Sequence, residues 1–237
     1  MTENLTISSS AHVRDLGVFV DEGLSWSVHY NTICRKAKQL SAWILHTFYA
    51  RDQVTMLTLF KSLVRSNLEF CCEVWNPHLI KDIVLVEQIQ RSFTSKIFEV
   101  RDLNYWDRLK KLNLMSLQRR REMIIILHIW KIKNNFYPNT IDVQFKTHII
   151  SNAIRTVLKP LPKVKGRLLN QYEESFIVKS CKLWNVIPPY LTHITSLSCF
   201  KLKLKEFLCK VPDEPPIPGY YHQNNNSLTE QHLSTII

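Results

Sequence analysis

Pro77 constrains this chain more than any other residue, because two helical patterns meet across it. Upstream, Leu57, Phe60, Val64 and Leu68 recur at helical spacing on a segment that starts near Asp52, a residue suited to an N-cap. Downstream, Ile83, Val86, Phe93 and Ile97 form a second stripe, while Lys81, Arg91 and Lys96 fall on other faces. Proline has no amide proton and pushes the preceding Asn76 out of helical geometry, so one continuous helix is forbidden. The pattern predicts a helix, a tight corner at Trp75-Asn76-Pro77 and a second helix. Before them, Ile33, Ala37, Leu40, Ile44 and Phe48 step by three and four, which predicts an amphipathic helix over 28–49. Three helices joined by short corners are wired as an antiparallel bundle.

The charge follows these helices. The formal net charge is +11. Residues 29–136 hold 18 Lys and Arg against 9 acids, residues 145–210 hold 12 against 3, and the remaining segments are net acidic. A basic surface concentrated on helices points to a polyanionic partner, nucleic acid before membrane. No apolar run reaches the roughly 20 residues of a membrane span, and the first ten residues lack a secretory pattern, so the chain reads as intracellular. Six cysteines form no Cys-x-x-Cys pair or zinc spacing and read as free thiols. Four glycines against ten prolines argue for helices over a strand-and-turn fold.

The rest of the chain predicts smaller elements. Residues 13–20 alternate as one strand, with turn chemistry at Asp21-Glu22-Gly23 and a small β-hairpin element at the start of the chain. Residues 105–134 are helical, with Tyr105, Trp106 and Trp130 read as core. Leu158 to Lys163 reads as an extended basic linker, followed by helices over 175–186 and 198–208, the latter burying Phe200, Leu204, Phe207 and Leu208. The expected divisions are a strand and turn at 1–28 with a frayed start, a helical domain at 29–136, a linker at 137–174, a small helical block at 175–210 and a disordered tail at 211–237. The fold class is mainly α, a short N-terminal β-hairpin ahead of a helical bundle and a smaller helical C-terminal block.

Several ordered blocks resemble a known family. Leu63-Val64-Arg65-Ser66, Leu68-Glu69-Phe70, Val74-Trp75-Asn76-Pro77 and 87–93 resemble the segment after the polymerase palm in non-LTR retrotransposon reverse transcriptases of the jockey kind. Asp15-Leu16-Gly17-Val18 with Leu24, Trp26 and His29 is similar to that family's strand and turn beyond its catalytic motifs. Tyr105, Arg108-Leu109, Leu112, Leu114, Leu117 and Arg120-Arg121 resemble its next helical signature. Ser175-Phe176, Trp184-Asn185, Pro188 and 198–201 resemble its closing block. The resemblance implies a palm edge, a thumb that closes on a template-primer duplex, and the region that follows.

The family's catalytic carboxylates include a paired aspartate motif that holds magnesium. This sequence contains no Asp-Asp pair, so no catalytic residue carries over, and no cofactor or metal is expected. No P-loop, dinucleotide fingerprint or His-x-x-x-His is present, and His29 reads as packing or capping. The expected function is that of a polymerase fragment with no enzymatic activity of its own, binding the RNA or DNA backbone without sequence preference. The alternatives are a co-opted basic module that meets an acidic protein, or a relic of a decayed element. A backbone grip needs cations along exposed helix faces, and the candidates are Arg35, Lys36, Lys38, Lys61, Arg65, Arg91, Lys96, Arg119, Arg120 and Arg121. The last three point in directions roughly 100° apart on a helix. At least one is expected to reach a phosphate, and one to pair with Asp102, Asp107 or Glu122.

Overall fold

Leu16 and Gly17 take φ values of 44° and 91°, the backbone that a two-residue hairpin turn demands. The single strand expected over 13–20 is therefore two, β1 (His12–Asp15) and β2 (Val18–Asp21), antiparallel with Asp15 opposite Val18. The computed structural model describes residues 10–137, 143–150, 153–160, 169–220 and 226–231. The expected frayed start up to residue 9, the 138–142, 151–152 and 161–168 parts of the linker and the 221–225 and 232–237 parts of the tail lie outside the described residues. Among the described residues the chain is mainly helical, with the short hairpin ahead of the helices. No helix among them is long and apolar enough to cross a membrane.

The stripes read from sequence face the cores, although Ile33, Leu40 and Phe48 of the first helix are only partly buried there. Helix α1 (Ser27–Thr47) buries Tyr30, Cys34, Ala37 and Ile44 on one face. Helix α2 (Gln53–Leu59) starts at Asp52, whose carboxylate accepts the Thr55 amide at 2.9 Å. It runs through a π-helical turn over Phe60–Arg65 into α3 (Ser66–Glu69). On its exposed side Thr58, Ser62 and Ser66 each donate a hydroxyl to the carbonyl four residues back, a back-bonding that bends helices.

This helix ends before the proline. Cys71 adopts φ 50°, α4 (Cys72–Trp75) is one short turn, and the corner into α5 (Ile80–Thr94) comes only then. Trp75 is fully buried and serves as a hub. Its Nε1 donates to the Phe70 carbonyl at 2.9 Å, and its own carbonyl accepts the Tyr30 hydroxyl at 2.8 Å. His29 packs on the indole with ring centres 5.1 Å apart and accepts the Phe19 amide at Nδ1, which ties the hairpin to the corner. Burial lowers the His29 pKa and keeps the ring neutral. Packing is the role read for it from sequence.

Beyond α5 come α6 (Tyr105–Lys111) and α7 (Leu117–Lys133), with Tyr105 and Trp130 buried and Trp106 packed on the core edge. The segment expected as a linker holds a second antiparallel hairpin, β3 (Val143–Ile150) and β4 (Ala153–Pro160). After α8 (Leu169–Glu173), β4 lies against α9 (Phe176–Val186) and α10 (Pro189–Thr192), and α11 (Leu197–Lys210) closes the helical part. Two large cores meet on α7. Leu117 joins the core of α1, α2, α5 and α6, whereas Ile125, Ile126, Ile129 and Trp130 join the core of α9, α10 and α11. The boundary expected near residue 136 therefore separates no two cores, because one helix belongs to both.

The first turn of α7 is held from two sides. The Glu87 carboxylate of α5 accepts the Leu117 amide at 3.0 Å, the Gln118 amide at 3.4 Å and the Tyr105 hydroxyl. Ser116, the N-cap, accepts the Arg119 amide at 3.0 Å, while its own amide and hydroxyl both donate to Asp213 at 2.7 Å. Unpaired amides and the positive end of the helix dipole make this turn an anion site, and two internal carboxylates fill it. Asp213 belongs to the expected tail. Residues 211–220 and 226–231 are folded here instead: Asn226 bridges Asp213 and the Glu214 amide at 2.8 Å each, and Glu122 accepts the Ser227 hydroxyl at 2.6 Å. Polar composition concealed this, because the segment is held by hydrogen bonds more than by an apolar stripe.

Complete burial pushes the Glu87 pKa from 4.5 up to about 7, against the opposing pull of the Tyr105 hydroxyl and Arg121. Between these values the folded state keeps a proton that the unfolded chain releases, so this contribution to stability is lost as pH rises through the window. Glu87→Gln removes it. Urea midpoints for wild type and variant should diverge between pH 5 and pH 7.5, the wild type losing roughly 2–3 kcal/mol relative to the variant; parallel profiles would contradict this.

Candidate functional site

The π-helical turn that carries Lys61 and Arg65 forms one wall of a groove of about 670 Å³. Single π turns are frequent at functional sites. The other walls come from Lys110 at the end of α6, Arg120 on α7, and Lys205 and Lys210 on α11, giving six basic side chains against Asp213 and Glu214. Apolar side chains, including Leu114, Met123 and Leu208, line the space between them.

The cations are close enough to feel one another. Burial lowers the Lys61 pKa, and the charges of Arg65, Lys205 and Arg120 lower it further. Arg65 is shifted down by burial and then by Arg120, with Glu69 opposing. Glu69 holds the two arginines together. Arg120 binds it through both Nε and Nη2, the latter at 2.9 Å, and Arg65 Nε lies 3.5 Å from Oε1. The side chains of Arg65, Glu69 and Arg120 are only 16%, 15% and 20% exposed, so this triad is shielded from salt more than a surface pair is. A guanidinium has five N–H donors, and Glu69 leaves donors on both arginines for a second anion. Paired arginines of this kind match phosphate oxygens.

Three of the ten residues selected from sequence therefore converge: Lys61, Arg65 and Arg120. Arg35, Lys36 and Lys38 lie exposed on α1 away from the groove, Lys96 is exposed, and Arg91 is half-buried with Nη1 donating to Gln88 at 3.2 Å. Arg119 and Arg121 are fully buried and unavailable to a phosphate, which corrects their selection. Arg119 donates to the carbonyls of Pro212 and Asn226 at 3.0 Å and pairs with Glu122 at 3.8 Å. Glu122 is one of the partners expected for this run. Arg121 donates to Asn76 Oδ1 at 3.1 Å in the proline corner. The spread of three adjacent residues around a helix has this consequence: the outer two face protein and Arg120 alone faces the groove.

Lys110, Lys205 and Lys210 were not selected from sequence. Lys205 belongs to the set Lys201, Lys203 and Lys205 on the outer face of α11. Nothing local distinguishes it; only the packing of α11 beside α7 brings it near Lys61. Among the described residues, no group of three or more His, Cys, Asp or Glu side chains is placed to hold a metal ion.

Comparison with known proteins adds one distant relative. Over 117 residues, 48% of this chain, the sequence is 27% identical to an uncharacterized protein of Caenorhabditis elegans. The match covers 59% of that protein's length. No protein-family model matches the chain, and no solved structure does.

Glu69→Gln removes the charge that offsets Arg65 and Arg120 while keeping side-chain size. Denaturant titration should show a loss of about 1–3 kcal/mol, most of it recovered when Arg120→Gln is added. An additive double variant would contradict the triad.

Proposed function

We propose that this chain binds the phosphate backbone of nucleic acid, without sequence preference, through the groove between the π-helical turn, α7 and α11. The observation that carries this reading is the convergence of six basic side chains, drawn from four separate elements, on one groove. Like charges repel, and bringing Lys61 beside Arg65, Arg120 and Lys205 lowers its proton affinity. A fold that tolerates this cost gains it back when an anion binds. The resemblance of the ordered blocks to the region after the palm in non-LTR reverse transcriptases supports the same partner. In this reading the chain contributes grip rather than chemistry, and we assign no catalytic residue.

The test is the salt dependence of binding to a fluorescent oligonucleotide of mixed sequence. Affinity should fall linearly on a log-log plot of binding constant against salt. Lys61→Ala or Lys205→Ala should weaken binding equally for unrelated sequences and reduce the slope by about one phosphate contact, whereas Lys38→Ala on α1 should change little. Salt-independent binding, or none at low salt, would overturn the proposal. Capture of an acidic protein that survives nuclease, without oligonucleotide binding, would replace it.

A further inference from the structure

The groove's shape limits what form of nucleic acid it takes, an inference that rests on the reading of the groove as a backbone-binding site. A thumb that grips a duplex needs cations spaced along exposed helix faces. Here they are gathered at one place. Lys61, from the π-helical turn, is electrostatically coupled to Arg65, Arg120 and Lys205 together, and Glu69 binds the two arginines to each other. These cations therefore face one groove instead of following a single helix face.

The space beside the cluster is concave. At about 670 Å³ it falls within the range of small-molecule pockets, room enough for one nucleotide. Its apolar lining is specific in kind. Of the residues that line it, Leu114 and Leu208 are buried and Met115 and Met123 are half-buried. Thioethers adapt to and pack against aromatic faces, so this surface suits an unpaired base. In a duplex, presenting a base to the groove would first require unpairing and unstacking at a cost of a few kcal/mol.

We propose that the groove binds single-stranded nucleic acid, with one phosphate on the Lys61, Arg65, Arg120 and Lys205 cluster and the attached base on the Met115 and Met123 side. The duplex expected of a thumb is then not the preferred ligand of this site.

The experiment compares three probes of equal length on the full chain at one low salt concentration: a single strand, its duplex, and a strand carrying abasic sites. The single strand should bind about tenfold more tightly than the duplex, and the abasic strand should lose about fivefold relative to it. Met123→Ala should weaken the intact strand a fewfold and leave the abasic strand unchanged. Lys205→Ala, an exposed position, should weaken all three probes. Equal affinities for the three probes, still sensitive to Lys205→Ala, would overturn the single-strand inference and leave the groove in place. Tighter binding of the duplex would do the same. Absence of binding, or binding indifferent to Lys205→Ala, would overturn the underlying reading as well.

Discussion

Two carboxylates meet at the first turn of α7, one from α5 and one from the segment after α11. Glu87 and Asp213 take the amides and cap hydroxyl that the helix itself leaves unpaired, so the protein's own carboxyl groups occupy the place of the anion that such a terminus attracts. Because α7 belongs to two cores, fixing its start fixes how those cores sit on each other. Its rotation is fixed as well. Arg119 is bound by the C-terminal segment and Arg121 by the proline corner, and with both neighbours immobilised Arg120 faces Glu69 and the groove. The buried polar cluster therefore has a positional role beyond stability: it aims a cation.

The arrangement also explains why the groove can hold its charge. Arg65 and Arg120 repel, and Glu69 stands between them. Lys61 and Lys205 come from elements far apart in sequence, and they share the groove only because α2 with its π turn, α7 and α11 are packed together. The hydroxyl ladder of Thr58, Ser62 and Ser66 accompanies the π turn in the segment that carries Lys61 and Arg65.

What the sequence made legible was local. The Asp52 cap, the apolar stripes of α1, α2 and α11 and the proline corner all follow from spacing within a few turns, and the structure has each of them. What it concealed depends on strained backbone or on distant partners. The N-terminal hairpin is legible, but nothing marks Leu16 as a residue that will adopt positive φ, so its turn falls at Leu16-Gly17, inside the run 13–20 that reads as one strand. Lysines and prolines near residue 160 suggested a linker and masked the alternating pattern of β3 and β4. Asp213 and Ser116 are 97 residues apart, so a segment that reads as a polar tail is in fact structural. The same lesson applies to the site. Arg119, Arg120 and Arg121 are chemically identical in sequence, and only tertiary packing separates the two that build the fold from the one that faces the groove.

The most direct test of this account is hydrogen exchange of the full chain with and without a saturating single-stranded oligonucleotide at low salt. Ligand contact should slow exchange in the π-helical turn around Lys61 and Arg65, in the first half of α7, and in 205–214. The α1 face carrying Arg35, Lys36 and Lys38 should be unchanged. Protection confined to that α1 face, with none at the π turn or the end of α11, would contradict the account, because it would place the basic contact surface where charge is exposed rather than where the fold has gathered it.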